Sequence, residues 1–169
     1  MPLRLEPLEV AGELEGLSSV LIVSCPICPP VSLAIDKRSP LLDVFKSGLK
    51  TGAFEDYIQE IREPLEQRGI RTDTFCLYGP VPMMCLWTKG QRGRLLKRAK
   101  SFDAVLVLGC DSATHSARQA LEDTGCRVIQ AMKITGITNA TVQFQRPGTV
   151  TLEDATRVEQ GVETGMRAS

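Results

Sequence analysis

Residues 19–32, SVLIVSCPICPPVS, decide how the rest of the chain is arranged. The stretch begins with a β-branched apolar run at 20–23. Because this run lacks polar alternation, it predicts a strand buried on both faces, as in a parallel sheet covered by helices. The run stops at Ser24, and Cys25 and Cys28 follow with two residues between them. Prolines come after both cysteines, so a buried strand passes abruptly into a stiff loop that carries two thiols.

A second stretch has the same arrangement, at residues 102–112, FDAVLVLGCDS. Its apolar run again predicts a buried strand, and Cys110 follows that strand after one glycine. Asp111 and Ser112 are the expected N-cap residues of a helix over 113–121, because such side chains accept hydrogen bonds from free backbone N–H groups. Those N–H groups attract an anion, or stabilise a thiolate at Cys110, so Asp111 and Ser112 are candidate cofactor-binding residues.

Strands and helices alternate along the chain at the spacing of an open α/β sheet with right-handed crossovers. We therefore expect an α/β fold with a flavodoxin-like, three-layer open parallel sheet of four or five strands, in the order 2-1-3-4(-5). The predicted strands are residues 19–24, 70–77, 104–108, 126–132 and a fifth at 138–144. The predicted helices are residues 41–49, 53–68, 91–100 and 112–123.

The length of 169 residues is enough for one self-sufficient hydrophobic core, so a single domain is expected. We place a single α/β domain at residues 19–145. A lead-in segment of residues 1–18, with a weak helix at 8–17, precedes it. Residues 146–169 form a polar C-terminal extension that we expect to be partly flexible.

The predicted strand order brings cysteines together. The first and third strands become neighbours whose helices go to opposite faces, which opens a crevice at their carboxyl ends. Cys25 and Cys28 follow the first strand, Cys110 follows the third, and Cys85 lies in the loop after the second. We expect these four thiols at one edge of the sheet. Cys126 starts a strand, so we expect it at the opposite edge.

The amino-acid composition limits the classes of molecule that this protein is expected to bind. Lysine plus arginine and aspartate plus glutamate number 20 each, so there is no overall field to attract nucleic acid or a membrane surface. Aromatic residues make up 5% of the chain, too few for a platform that stacks bases. The acidic N-terminal stretch lacks the basic start and apolar run of a signal peptide. We expect a cytoplasmic protein, in which cysteines are normally reduced and available as ligands or catalytic thiols.

The CxxC spacing suits metal binding, because one turn of backbone offers two sulfurs to one ion. Cys25 and Cys28 are therefore candidate metal ligands, with Cys110 as a third and Cys85 or His115 as the fourth. We expect zinc or an iron–sulfur cluster. Two other interpretations stay open: a redox-active dithiol whose thiolate is favoured by a helix N-terminus, and a pair of small buried side chains.

Two other stretches suggest interaction surfaces, not catalytic or metal-binding residues. The basic run at 89–100 predicts a solvated amphipathic helix, or a docking patch for an acidic protein or a phosphate group. The irregular apolar loop at 83–87 predicts either an exposed contact or a lid over the crevice. The sequence contains no GxGxxG, P-loop, GxSxG or HExxH motif. It also lacks a DxHxxG corrinoid-type loop after the first strand; a flavin held by backbone groups, or a corrinoid, stays open.

The segments SVLIVSC and DAVLVLGC resemble one known family. It is the cysteine-bearing partner subunit, or C-terminal domain, associated with methylenetetrahydrofolate reductase in anaerobic bacteria and archaea. The resemblance implies a flavodoxin-like fold with cysteines at strand ends, of which Cys25 and Cys110 match here. It further implies a metal or iron–sulfur centre beside redox or methyl-transfer enzymes.

Our leading expectation is therefore an accessory metal- or iron–sulfur-binding protein of anaerobic redox or one-carbon metabolism. Its partner would be a redox or methyl-transfer enzyme subunit. Two alternatives are a CxxC thiol oxidoreductase and a non-catalytic binding or assembly module. Homo-oligomerisation and catalytic activity both stay open at this point.

Overall fold

The computed structural model describes residues 2–78, 81–145 and 147–159. Within these residues the strands are β1 (Leu3–Pro7), β2 (Ser19–Ser24), β3 (Leu42–Asp43), β4 (Arg71–Cys76), β5 (Ala104–Leu108), β6 (Arg127–Gln130), β7 (Met132–Gln145) and β8 (Thr149–Glu159). The helices are α1 (Cys28–Asp36), α2 (Val44–Ser47), α3 (Gly52–Gln67), α4 (Lys89–Ala99) and α5 (Asp111–Ala120), and short 3₁₀ turns cover Ala11–Leu14 and Met84–Leu86. Among the residues described, none of the helices has the length and apolar character that crossing a bilayer requires.

Four strands form a parallel sheet in the order β4-β2-β5-β6. Its two inner strands, β2 and β5, are buried along their whole length. Neither face of such a strand meets solvent, so its side chains are apolar on both faces. This is why both segments contain an unbroken apolar run. The prediction of a mixed α/β fold with a parallel sheet is therefore confirmed. On its flanks, α1 packs against α3, and α4 packs against α5.

The predicted fifth strand does not join this sheet. Residues 138–144 lie inside β7, in a separate antiparallel sheet with the order β1-β7-β8-β3. Only Ala131 separates β6 from β7. A further parallel strand needs a crossover of a dozen or more residues, so the chain has no room for one at this point. Seven of the fourteen residues of β7 are exposed, which suits an antiparallel sheet that is in contact with solvent.

The lead-in segment forms a strand, β1, ahead of the weak helix predicted at residues 8–17, and that helix is reduced to a 3₁₀ turn at Ala11–Leu14. Strand β1 pairs with β7, and only a 3₁₀ turn follows it. Ser32 of α1 ties β1 to the domain, because its hydroxyl accepts a hydrogen bond from Leu5 N (3.0 Å) and donates one to Leu3 O (3.2 Å). Strand β8 likewise falls in the predicted C-terminal extension and pairs with β7. Residues 160–169 of that extension lie outside the described residues.

The helix predicted at residues 41–49 is wrong over most of its length. Leu41 N donates to Val150 O at 2.8 Å, and Val44 N donates to Gly148 O at 3.1 Å. These bonds draw the segment onto β8 as the short strand β3. The helix is reduced to the single turn α2, where the Asp43 carboxylate accepts the first free backbone N–H groups.

A group of hydrogen bonds at the amino-terminal edge of the parallel sheet joins β2 to β5. The Asp103 carboxylate accepts hydrogen bonds from Ser18 N and Ser19 N, both at 2.8 Å, and from Ser19 Oγ at 3.1 Å. The Ser18 N–H and the Ser19 hydroxyl lower the pKa of Asp103, because they stabilise its charged form. This contact helps to align the two strands whose other ends carry the cysteines.

Candidate functional site

The candidate site forms where β2 and β5 end side by side. Cys25, the first residue after β2, donates a backbone hydrogen bond to Leu108 O, the last residue of β5, at 3.0 Å. Gly109 allows the next turn to approach closely. A Cβ at this position would lie 2.7 Å from the Ala113 Cβ and 3.6 Å from the Cys25 Cβ. The loop after β2 and the start of α5 are therefore packed directly against each other.

Cys25 is the most enclosed thiol of the site, with 6% of the residue exposed. Burial raises the pKa of Cys25 to about 11, because the thiolate loses its hydration. Hydrogen bonding from the backbone N–H groups of Met84 and Ile27 acts in the opposite direction. Negative charge on Cys28 or Cys110 would raise the Cys25 pKa further. The metal-free thiol is therefore protonated at neutral pH, although backbone donors already face its sulfur.

Cys28 is the first residue of α1 and is half-buried. Burial again raises the pKa of this thiol, while a hydrogen bond from the backbone N–H of Leu3 lowers it. Charge on Cys110, and then charge on Cys85, would raise it further. The electrostatic influence among these sulfurs means that the structure brings the four predicted cysteines into one neighbourhood.

Cys110 is the N-cap residue of α5, and its side chain makes no capping hydrogen bond. The prediction that Asp111 or Ser112 would cap this helix is therefore wrong by one or two residues. Thr114 N already donates to Cys110 O at 3.0 Å, so the helix begins one residue earlier than the polar side chains suggested. Cys110 itself is buried, with its residue 7% exposed.

Cys85 lies in the 3₁₀ turn Met84–Leu86, which packs against α5. Met84 and Trp87 are almost fully buried, at 0% and 5% exposure, whereas Leu86 is 62% exposed and Cys85 is exposed. The loop therefore does not form an exposed apolar contact along its whole length. It covers Cys25, since the Met84 backbone bonds to that sulfur, and it presents Cys85 to solvent.

Asp111, Ser112 and His115 are exposed residues of α5 and line an open groove with Cys85. The Asp111 carboxylate accepts a hydrogen bond from Gln130 Nε2 at 3.1 Å. His115 thus shares a cavity with the outermost cysteine, not with the buried pair Cys25 and Cys110. If it is a ligand, it can only complete the site from the solvent side.

A single metal ion makes strict demands on the spacing of its ligands. Two thiolates on one zinc lie within about 4.6 Å of each other, twice the Zn–S bond length. In the described ranges 2–78, 81–145 and 147–159, no three His, Cys, Asp or Glu side chains are arranged to hold one ion. The four cysteines converge, but their side chains are not preset for a mononuclear site.

The two remaining cysteines are outside this site. Cys76 ends β4, and its half-buried thiol interacts with the side chains of Ser24 and Tyr78. Burial raises the pKa of Cys76, and it also raises the pKa of Cys126. Cys126 lies at the other end of the sheet, within the field of Asp103. The sequence prediction that Cys126 lies apart from the others agrees with this placement.

Helix α1 is poorly suited to hold a phosphate group at its start. Pro29 and Pro30 are its second and third residues, and proline has no backbone N–H. Two of the donors that usually bind an anion at a helix N-terminus are therefore missing. A flavin phosphate at the β2–α1 turn is disfavoured on this ground.

The backbone N–H groups that donate to Cys25 and Cys28 were not predicted from the sequence. The direction in which a backbone N–H points cannot be recognised in a pattern of residue types.

Comparison of the chain with protein-family models, with curated proteins and with solved structures finds no match.

Proposed function

We propose that this protein is an accessory subunit that binds an iron–sulfur cluster, or a zinc ion, through Cys25, Cys28, Cys110 and Cys85. One observation carries the proposal. Four cysteines that are far apart in sequence converge at the carboxyl edge of two adjacent inner strands, where open α/β sheets bind their ligands. His115 is the alternative to Cys85 as the outermost ligand.

Backbone donors support thiolate ligation at this position. The N–H groups of Met84 and Ile27 bond to Cys25, and the N–H group of Leu3 bonds to Cys28. Hydrogen bonds of this kind stabilise negative charge on sulfur, and they tune the potential of metal–thiolate centres. Since both thiols are protonated without metal, the positive charge of the metal has to displace their protons.

A cluster fits these thiols better than a single zinc ion. Thiolates on one zinc must crowd within about 4.6 Å, and no such set of three ligands exists among the described residues. A cluster distributes its thiolates over several iron atoms, so it accepts ligands that are spaced more widely. The cysteines influence one another's charge, and a cluster, unlike a single ion, does not require all of them to meet at one point.

The wider assignment has two further parts. We assign the parallel sheet to the flavodoxin-like class, which is supported by its β4-β2-β5-β6 order and by the packing of α1 on α3 and of α4 on α5. We place the protein in anaerobic redox or one-carbon metabolism, beside a redox or methyl-transfer enzyme. That placement rests on the resemblance of the two strand–cysteine segments, and a cytoplasmic location accompanies it.

The alternative of a thiol oxidoreductase is less well supported. Catalytic dithiols need a lowered thiol pKa, because the thiolate is the nucleophile. Burial raises the pKa of both Cys25 and Cys28. Cys25 is also 6% exposed, which leaves little access for a disulfide substrate.

Anaerobic reconstitution with iron and sulfide tests the proposal. We expect visible absorption typical of a cluster, with stoichiometric iron and acid-labile sulfide. Cys25→Ser and Cys110→Ser should each abolish or strongly reduce the cluster. Cys126→Ser is the matched control, because the same substitution then falls at the opposite edge of the sheet, near Asp103, and should leave the cluster unchanged.

Other outcomes decide between versions of the proposal. Colourless binding of one zinc per chain, lost in Cys25→Ser, would replace the cluster by zinc. Equal metal content in the wild type, Cys25→Ser and Cys126→Ser would refute a metal centre at this site altogether.

A further inference from the structure

An open groove of about 470 Å³ runs along the outer side of α5, between that helix, α4 and the turn that carries Cys85. Its α5 residues include Ser112, His115, Ser116 and Gln119. These positions follow the i, i+3, i+4, i+7 spacing that places side chains on one helix face. The groove is therefore a polar surface along one flank of α5, beside the cysteine site.

Arg92 gives the groove its charge. Its guanidinium donates to Gln119 Oε1 at 2.9 Å, and the residue is half-buried against α5. In the described residues Arg92 forms no ion pair, and its hydrogen-bond partner is a neutral amide. A guanidinium that is positioned by a neutral group and not neutralised by a carboxylate is well placed to bind an oxyanion.

Ser116 provides an independent observation. The residue is 4% exposed and lines the groove, yet its hydroxyl makes no hydrogen bond within the described part of the chain. Because the Ser116 hydroxyl oxygen is not one of the fully buried unpartnered atoms of the described residues, it is open to the groove and can donate to a bound ligand there.

We propose that this groove binds a phosphoryl group, as free phosphate or as part of a small phosphorylated ligand. Arg92 supplies positive charge, Ser112 and Ser116 supply hydroxyl donors, and His115 lies at the open side. This function goes beyond metal binding and does not depend on it, because none of the groups that bind the phosphoryl oxygens is a cysteine.

Two features of the surroundings bear on the affinity. The exposed Asp111 carboxylate also lines the groove and repels an anion, although Gln130 holds it by a hydrogen bond of 3.1 Å. Helix α4 opposes that effect, because it contains five lysines or arginines and no acidic residue. Its field attracts an anion toward the groove.

The single histidine makes a direct test straightforward. Inorganic phosphate is titrated into the full-length protein at constant ionic strength and pH, while the His115 imidazole proton resonances and backbone amide resonances are recorded by NMR. We expect saturable shifts at His115, Ser112 and Ser116. Arg92→Gln should weaken binding about tenfold or more, because it removes a charge-assisted hydrogen bond.

Two further variants separate this site from general attraction to a basic surface. Lys97→Gln removes the same charge from an exposed position of α4 and should weaken binding much less than Arg92→Gln, because it removes only a part of the general field of α4. Ser116→Ala should weaken phosphate binding several-fold without lowering the thermal midpoint of the free protein, since its hydroxyl has no partner to lose. Linear shifts without saturation, or equal losses in Arg92→Gln and Lys97→Gln, would overturn the proposal. Metal content is not part of this readout, so either proposal can fail without the other.

Discussion

The backbone N–H of Cys25 donates a hydrogen bond to the carbonyl oxygen of Leu108 across 3.0 Å. This bond extends the pairing of β2 with β5 by one residue beyond the strands themselves. It therefore holds the CPIC loop directly beside Gly109 and Cys110. The convergence of thiols is a consequence of strand pairing, and the site depends on the turn after β5 remaining close to the loop after β2.

Gly109→Ala should open that junction. The new Cβ would lie 2.7 Å from the Ala113 Cβ, so the backbone has to shift, and we expect a loss of about 1–3 kcal/mol in the free energy of unfolding. Gly93→Ala is the control, because it lies within α4 with no atom within 4 Å of the new Cβ. It should stabilise by about 0.5–1 kcal/mol. Urea denaturation of both variants checks the contrast, and equal effects would contradict the packing described.

The metal-free protein should lose stability in alkaline solution. The folded-state pKa of Cys25 is about 11, above its ordinary value of 9.0. The folded state thus keeps this proton up to a higher pH than the unfolded state does. The resulting contribution to the free energy of unfolding is complete below pH 9.0 and is lost as the pH rises through about 11. The difference between these two pKa values corresponds to at most about 3 kcal/mol of unfolding free energy. Unfolding by urea at several pH values should show a shallower alkaline decline for Cys25→Ala than for the wild type. The exposed Cys85→Ala should keep the wild-type slope, and parallel curves for all three proteins would disprove this account.

Metal loading should release protons. Burial raises the pKa of both Cys25 and Cys28, so both thiols are protonated near neutral pH and must ionise to bind metal. Each released proton makes the apparent affinity rise about tenfold per pH unit, so these two thiols alone contribute about a hundredfold. Zinc titrations in weakly buffered solution measure the proton count directly. Cys25→Ser should release one proton fewer than the wild type, whereas Cys126→Ser should release the same number; a pH-independent affinity would argue against thiolate ligation.

The loop over Cys25 should respond very differently to substitution at neighbouring positions. Met84 is fully buried, so Met84→Ala should cost about 2–5 kcal/mol of unfolding free energy and loosen the cover over Cys25. Leu86 is 62% exposed, and Leu86→Ala should change stability by no more than about 0.5 kcal/mol. Alkylation of Cys25 by a thiol reagent, followed by mass spectrometry, should accelerate only in Met84→Ala. Similar rates in both variants would mean that the loop does not shield this thiol.

Pattern reasoning located the parallel sheet because its signal is local. The runs VLIV and AVLVL contain no polar residue, and a strand can remain so apolar only when helices cover both its faces. The same reasoning identified residues 138–144 as a strand but assigned them to the wrong sheet, and it failed for most of residues 41–49. The first belongs to a strand whose partners, β1 and β8, are distant in sequence. The second became a short strand because β8 offers it backbone hydrogen bonds. Long-range pairing of this kind overrides local propensity.

The sequence by itself determined the order of strands and cysteines along the chain. Two buried strands are each followed by a cysteine, and Cys126 comes at the start of another strand. Only the tertiary structure decided which groups meet those cysteines. The N–H donors of Met84 and Leu3 reach Cys25 and Cys28 from distant segments, and Arg92 of α4 meets Ser116 of α5 in one groove. A periodic pattern reports which face of an element is buried. It does not report which distant backbone group or charge covers that face, because such contacts arise only when separate elements pack together.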